Sequence, residues 1–153
     1  MKTLLIRLSI ISFLFILIVS CEKEEENETS ISSNNSSRSH NTGQNCMSCH
    51  KSGGEGEGWF NIAGSVYGSD FQSIAANGTV NLYSGPGGTG TLIASIDVDN
   101  LGNFYTTQSV SLAGGVYPSV QNNAGTEYFM SESITTGACS NCHGKSADRI
   151  YVE

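Results

Sequence analysis

The sequence predicts an all-β fold, a single small β-sandwich of about six or seven antiparallel strands. Between residues 59 and 135, apolar and polar residues alternate in short runs, and this period of two is typical of half-buried strands. Turn-forming sequences such as "SGPGGTG" and "DNLGN" separate the runs. No window in this region has the period of an amphipathic helix.

The length and the charge of the chain restrict what it can be. Its 153 residues leave room for one modest domain. Fourteen acidic residues outnumber seven basic ones, which gives a formal net charge of −7, and aromatic residues make up only 8% of the chain. This balance argues against a nucleic acid as partner, because nucleic-acid-binding domains carry basic surfaces.

Residues 1–20 have the layout of an export signal, in which two basic residues precede an apolar run from Ile10 to Val19. The run is too short to span a membrane comfortably. It ends in "IVSC", which resembles the lipobox of bacterial lipoproteins. The resemblance implies cleavage before Cys21 and attachment of lipid to that cysteine. An ordinary cleaved signal peptide and an uncleaved N-terminal anchor are the alternatives.

The residues after Cys21 bear on the destination of a lipoprotein. Glu22 is not the aspartate that often retains bacterial lipoproteins in the inner membrane, so the outer membrane is favoured. The acidic run from Glu22 to Glu26 also resembles tags that send some lipoproteins to the cell surface, although a solvated spacer is the simpler interpretation. The sequence therefore predicts a lipid-anchored protein of the bacterial cell envelope, on the periplasmic or the surface face of the outer membrane.

Residues 21–43 are rich in Glu, Ser and Asn and nearly free of large apolar side chains. Such a segment buries too little apolar surface to offset the entropy that is lost on ordering. We therefore expect a flexible tether of roughly twenty residues, able to hold the domain tens of ångströms away from the membrane.

Three stretches of the predicted sandwich share a pattern with a known family of domains. They are "IAGSVYGSD", "NGTVNLYSG" and "IASIDVDNLGNFYTT". Together they resemble carboxypeptidase-regulatory-like, transthyretin-like β-sandwich domains, whose pattern is a Gly-x-Val strand, a Val-x-Leu strand and an Asp-x-x-Gly-x-Phe/Tyr hairpin. The resemblance implies a hairpin with its turn at Asn100 to Gly102 and with Phe104 directed into the core. It implies little about function, since this sandwich is attached to many different proteins.

The same five-residue pattern occurs on each side of the predicted sandwich, as "CMSCH" at 46–50 and "CSNCH" at 139–143. With Cys21 assigned to lipid, all four remaining cysteines lie in these two motifs. Two thiols three positions apart can each add to one vinyl group of a porphyrin edge, and the next residue then places an imidazole under the iron. We therefore predict two covalent haem c groups. The residues that hold them are Cys46, Cys49 and His50 for the first haem, and Cys139, Cys142 and His143 for the second.

Two other uses of the cysteine pairs compete with this prediction. Two disulfides are possible in an oxidising compartment, but they leave the histidine after each pair unexplained. A shared four-cysteine zinc site fits the spacing, but export makes such a site less favoured. Either use would suit a surface binding or adhesion lipoprotein, which is the first alternative function. A small haem peroxidase or reductase, with an open sixth position on the iron, is the second.

The sixth iron ligands are harder to assign, because His40 is the only histidine outside the motifs. His40 precedes Cys46 by six residues, where a merely solvated histidine is the alternative. Met130 precedes Cys139 by nine residues, and in this respect the chain is similar to small exported cytochromes that carry a methionine before a terminal motif. The alternative for Met130 is a core position on the last strand, in alternation with Tyr128. A thioether ligand would raise the potential of that haem relative to bis-histidine ligation.

These patterns predict a dihaem c-type cytochrome lipoprotein that transfers electrons in the cell envelope and has no catalytic residue of its own. Its expected partners are redox proteins of the envelope and, through the lipid anchor, a membrane; self-association is left open. The expected segments are the signal peptide 1–20, the tether 21–43, the first haem-binding loop 44–58, the sandwich 59–135 and the second haem-binding segment 136–153.

The number of strands between the two motifs decides where the motifs lie. Antiparallel strands return the chain to its starting side after every pair, so an even number brings the motifs to one side and an odd number separates them. The alternation favours an even number, with about six strands. The sequence therefore predicts that the two motifs lie close together.

Overall fold

Two β-sheets and three short 3₁₀ helices make up the computed structural model, which describes residues 27–153. The predicted export signal and the predicted lipidation site Cys21 lie outside the described residues. The strands are β1 Ile62–Gly68, β2 Thr79–Tyr83, β3 Leu92–Asp97, β4 Asn103–Thr106, β5 Tyr117–Gln121, β6 Glu127–Phe129 and β7 Ile150–Val152. The 3₁₀ helices are Cys46–Ser48, Pro86–Gly88 and Cys139–Asn141. No helix in this described part is long and apolar enough to cross a membrane.

The two sheets form a small sandwich, which confirms the predicted all-β fold. One sheet has three strands in the order β4-β1-β7, and the other has four strands in the order β3-β2-β5-β6. Every neighbouring pair is antiparallel except β1 and β7, which run parallel and align Val66 with Ile150. Parallel neighbours need a long connection. Here the rest of the sandwich and the second motif supply it, because β7 follows that motif.

The core lies between the sheets and is built from the apolar residues of the alternation. Ile62 and Val66 on β1 and Val80 and Leu82 on β2 are each at most 3% exposed. Phe104 on β4 is the largest of the fully buried side chains. The cluster also contains Ile96, Val98, Val116, Val120 and Val152. Because alternate residues of a strand point to opposite faces, the other residues of β1 and β4 face outward.

The turn after β3 connects the two sheets instead of closing a hairpin. Since β3 pairs with β2 and β4 pairs with β1, the predicted hairpin around residues 100–102 is corrected to a crossover between sheets. The turn is stabilised by Asp99, whose carboxylate accepts hydrogen bonds from the N–H groups of Leu101 and Asn103 at 2.9 and 3.0 Å. Phe104 enters the core after this turn, as the pattern predicts, and is 1% exposed.

Residues 27–45 lie along the three-stranded sheet, and we call them the N-terminal strap. Ile31 forms a β-bridge with Thr106 of β4. Ser32 is 3% exposed, its N–H donates to the carbonyl of Tyr105 at 3.0 Å, and its hydroxyl accepts from the N–H of Tyr105 at 2.9 Å. The strap therefore continues the sheet beyond β4.

The strap corrects the expectation of a flexible tether at 21–43 for the part of that segment that is described. Its backbone and side chains also bond to the sandwich at further points along its length. Among these bonds are those of Asn34 with Asp97, Asn35 with Asn77, Thr42 with Leu101 and Gly43 with Ser65. Side-chain hydrogen bonds to the backbone order a segment without large apolar residues, so composition alone did not reveal the strap. Only residues 22–26 separate it from the predicted lipidation site.

Candidate functional site

The two five-residue motifs adopt the same backbone conformation. Each begins with a 3₁₀ helix over its first three residues. In each, the carbonyl of the first cysteine accepts hydrogen bonds from the N–H groups of the second cysteine and of the histidine. The distances are 3.2 and 2.9 Å in the motif of Cys46, Cys49 and His50, and 3.2 and 3.0 Å in the motif of Cys139, Cys142 and His143. The repeated sequence is therefore also a repeated local structure.

Both motif histidines are held by a backbone carbonyl further along the chain. The Nδ1 atom of His50 lies 3.0 Å from the carbonyl oxygen of Glu57, and that of His143 lies 2.6 Å from the carbonyl oxygen of Asp148. A carbonyl accepts only, so Nδ1 carries the proton and the lone pair is on Nε2. Metal-binding histidines are oriented in this way, with one ring nitrogen bonded to a carbonyl or carboxylate.

A second hydrogen bond closes the loop after each histidine. The carbonyl of Cys49 accepts from the N–H of Gly56, and the carbonyl of Cys142 accepts from the N–H of Ala147, both at 3.0 Å. In each loop, the residue after the one that makes this bond provides the carbonyl that holds the histidine. This residue is Glu57, seven positions after the first histidine, and Asp148, five positions after the second. The two loops thus have different lengths and sequences but the same two anchoring contacts.

Gly56 is required by the first of these loops. A Cβ atom at this position would lie 2.7 Å from Nδ1 of His50, and real Cβ atoms essentially never approach another atom so closely. The glycines of "GGEGEG" therefore do more than make the loop flexible. Gly56 is the one sequence signal that could have indicated how the loop folds back onto the imidazole.

The two motifs lie against each other on one side of the sandwich. The side-chain amide of Asn45, just before the first motif, donates to the side-chain carbonyl of Asn141 within the second, at 3.0 Å. Both 3₁₀ helices contact β1. Six strands, β1 to β6, separate the motifs along the chain. The strand-parity prediction of adjacent motifs is confirmed.

The four motif cysteines are free thiols in the described residues, and they differ in burial. Cys49 and Cys142 are exposed, whereas Cys139 packs against the core beside β1. Gly64 of β1 makes room for Cys139, because a Cβ on that glycine would lie 3.0 Å from the cysteine Cβ. Burial raises the pKa of the Cys139 thiol to about 12, and the neighbouring thiol of Cys46 adds to this shift. Burial also raises the pKa of Cys46.

In protein produced without haem, we expect alkylation of Cys139 to be roughly tenfold or more slower than that of the exposed Cys142. At pH 8, a thiol with a pKa of about 12 is thiolate in only about one molecule in 10,000, and burial also limits the access of the reagent. Treatment of the folded, reduced protein with iodoacetamide, followed by peptide mass spectrometry, measures both rates. The same reaction in urea is the control, in which the two rates become similar. Equal rates in the folded protein would contradict the burial of Cys139.

A cleft of about 900 Å³ lies beside the first motif. Its lining comes from the strap, from the first motif with its loop, and from Phe60, Asn103 and Tyr105 on the sandwich. His40 and His50 both line the cleft, with ring centroids 5.7 Å apart and planes tilted by 38°. The sequence placed His40 in a loose tether, and the strap instead brings it to the first motif.

Aromatic rings support the imidazole of His50 from the sandwich. His50 stacks on Phe60 with a centroid distance of 4.2 Å and an interplanar angle of 12°. Phe60 in turn stacks on Tyr105 at 4.8 Å and 24°. Desolvation, followed by the charge of Asp99, raises the pKa of Tyr105. The ring of His50 is therefore restrained at Nδ1 by a carbonyl and across its face by a stack that ends on β4.

The residues of this cleft fit a c-type haem. Two thiols and two imidazoles are among the residues that line it, and these are the residue types that covalent attachment and iron ligation require. The ring centroids of His40 and His50 are 5.7 Å apart, so both imidazoles are near enough to each other to contribute to one bound group. The volume also falls within the usual range for ligand sites, about 300–1,000 Å³.

Met130 is placed differently from His40. It follows β6, at the edge of the four-stranded sheet, and its N–H donates to the carbonyl of Pro118 at 2.9 Å. The second motif instead packs on β1, in the other sheet. The structure thus brings His40 near the first motif, whereas ligation by Met130 stays a prediction. Residues 27–153 contain no group of three or more His, Cys, Asp or Glu side chains arranged to hold a metal ion.

Comparison with known proteins returns no relative. No protein-family model, no curated protein and no solved structure matches this chain. The resemblance to carboxypeptidase-regulatory-like domains therefore stays a prediction, while the sandwich itself is observed.

Proposed function

We propose that this protein is an electron-transfer lipoprotein of the bacterial cell envelope that carries two covalently attached c-type haems. The observation that supports this most strongly is the repeated local structure of the two motifs. In both, a hydrogen bond from Nδ1 to a backbone carbonyl leaves Nε2 of the histidine for iron. Two disulfides or a shared four-cysteine zinc site would leave the histidines without a role.

Each group in the motifs has a separate role in this proposal. The sulfur of each cysteine adds to a vinyl carbon and its hydrogen goes to the other vinyl carbon, so that a thioether forms without net oxidation. His50 and His143 would bind the iron, and the carbonyls of Glu57 and Asp148 hold their Nδ1 atoms. When bound, a haem c supplies an iron centre that gains or loses one electron.

The first cleft offers two further contacts for a haem. His40 would be the distal ligand, a role supported by the 5.7 Å between its ring centroid and that of His50. Among residues 27–153, Arg38 is the one lysine or arginine that lines the cleft, and its guanidinium suits the carboxylates of a haem. These two residues come from the strap, so the strap would complete the first site.

Contact between the motifs supports electron transfer between the two haems. Asn45 and Asn141 bond directly across the boundary. Groups attached to adjacent segments of one rigid scaffold keep a fixed, short separation, which favours transfer within the pair. The acidic net charge of −7 suits a basic partner surface, because opposite charges accelerate encounter.

Absorption spectra of the purified protein test this function. The protein would be produced at full length in a bacterial strain that attaches c-type haem, and haem would be quantified per chain. We expect a red protein with about two haems per chain that remain bound after denaturation. A colourless protein from that strain would contradict the proposal. Rapid turnover with peroxide or a nitrogen oxide would instead favour a haem enzyme.

Replacing His40 by alanine is expected to convert one of the two haems from six-coordinate to five-coordinate iron. The reason is that the sequence has no other histidine outside the motifs that could replace His40 as the sixth ligand. Absorption and electron paramagnetic resonance spectra measure the change, as a high-spin ferric signal from half of the haem. Ser37→Ala, an exposed strap position next to the cleft, is the matched control. An unchanged low-spin spectrum for His40→Ala would remove His40 as a ligand.

A further inference from the structure

The chain enters the domain beside the loop of the first motif. The side-chain amide of Asn27 donates to the carbonyl of Trp59 at 2.9 Å and accepts from the N–H of the same residue at 2.8 Å. Asn27 also lies close to Gly58, where a Cβ would be 3.5 Å from its side-chain oxygen. Trp59 directly precedes Phe60, on which the ring of His50 stacks. The point of entry is thus fixed next to the first motif.

This point of entry is at one end of the sandwich. Thr107, just after β4, exchanges hydrogen bonds with Ser30 of the strap and marks the same end. From Ile62 at this end, β1 runs for seven residues to Gly68, a distance of about 20 Å. Gly68 and Ala124 line a common cleft of about 330 Å³ and mark the opposite end.

The predicted lipid anchor is very near the point of entry along the chain. Asn27 is six residues after Cys21. A chain spans at most about 3.5 Å per residue, so the anchor and Asn27 cannot be more than about 20 Å apart, whatever the conformation between them. The opposite end of the sandwich is not held within this distance of the anchor, because it is separated from Asn27 by the length of β1.

We propose that the end of the domain bearing the first motif faces the lipid surface in which Cys21 is anchored. This inference rests on the lipidation that is part of the proposed function. The strap makes the orientation specific, because it is bonded along β4 and so fixes which end of the sandwich lies nearest the anchor. A flexible tether over 21–43 would have allowed any end to face the membrane.

The acidic residues at this end decide how the domain meets the surface. Three glutamates at this end, Glu28, Glu55 and Glu57, line the first cleft, and the sequence between Cys21 and Asn27 contains four more, at positions 22, 24, 25 and 26. Burying such carboxylates in a bilayer is costly, and anionic headgroups repel them. The first motif therefore faces the headgroups across water and does not insert between them.

Spin labels at the two ends of the domain test this orientation. The acylated, haem-loaded protein would carry a nitroxide at Gln108→Cys, beside Thr107, or at Ala124→Cys, both exposed positions. Each would be bound to vesicles of phosphatidylethanolamine and phosphatidylglycerol, with or without a gadolinium-chelating lipid. We expect the lipid-bound gadolinium to enhance relaxation several-fold more at position 108 than at position 124. Equal enhancement, or a larger effect at position 124, would overturn the proposal.

Two controls separate the orientation from its premises. A Gly/Ser insertion of roughly twenty residues between Glu25 and Glu26 lengthens the link and is expected to abolish the difference between the labels. Mass spectrometry of the N-terminal peptide reports acylation; a chain without lipid at Cys21 overturns both the anchor and the orientation. Haem content is measured on the same samples, and a chain that is acylated and correctly oriented but free of haem would contradict only the electron-transfer function.

Discussion

Replacing Cys139 and Cys142 together by serine is expected to lower the haem content from about two per chain to one. Serine keeps the size and polarity of each position but cannot form a thioether. The first motif retains its own thiols, its histidine and its cleft. Haem quantification after denaturation, which removes any haem that is bound without a covalent bond, measures the result.

The matched variant replaces Cys46 and Cys49 by serine and keeps the second motif. It is also expected to hold one haem, and the four-serine variant is expected to hold none. Because the motifs share the contact between Asn45 and Asn141, the potentials of the two single-haem variants need not equal those of the pair. Redox titration of the unsubstituted protein and of the two single-haem variants would show this coupling as a shift in the reduction potentials. Two haems in either double variant would contradict covalent attachment at the replaced pair.

The second large effect is expected from Gly137→Ala, next to the second motif. A Cβ at this position would overlap the backbone carbonyl oxygen of Asn61 and approach Cα of Ile62, and neither backbone atom can move independently. The carbonyl of Gly137 also accepts from the N–H of Ala63 at 3.0 Å, which holds the second motif on β1. We expect a loss of about 1–3 kcal/mol in the free energy of unfolding, as in other overpacked sites.

Urea unfolding of the haem-loaded protein measures this loss as a lower midpoint at unchanged slope. Gly114→Ala is the matched control, because nothing lies within 4 Å of the added Cβ and its backbone is not in the left-handed region. This control is expected to leave the midpoint nearly unchanged or slightly raised. A Gly137→Ala protein as stable as the control would show that the second motif is not held tightly on β1.

Apolar periodicity was sufficient to predict the sandwich. Alternation identifies the inward residues of the strands, such as Val80 and Leu82, because burial of one face is the main source of stability. It did not predict that β3 and β4 belong to different sheets, since a turn that crosses between sheets and one that closes a hairpin use the same residues. It also missed the strap, which is held by backbone and side-chain hydrogen bonds.

The candidate site could be predicted only in its chemically distinctive part. Cysteines and histidines identify the motifs because few other residues do their chemistry. The carbonyls of Glu57 and Asp148 could not be predicted, because every residue has a carbonyl and only the fold decides which one meets an imidazole. His40 was a candidate ligand because it is the only histidine outside the motifs, with a solvated histidine as the alternative. The structure brings it near His50, because the strap turns back toward the first motif.

The strap also has a consequence for solubility. Strand β4 is at the edge of its sheet, and an uncovered edge strand pairs readily with other chains. Bonds from Ser30, Ile31 and Ser32 occupy that edge. A truncated protein that begins after residue 45 would expose it, and such a fragment is expected to aggregate. The strap is thus also the cover that keeps neighbouring copies of the domain from joining sheet to sheet.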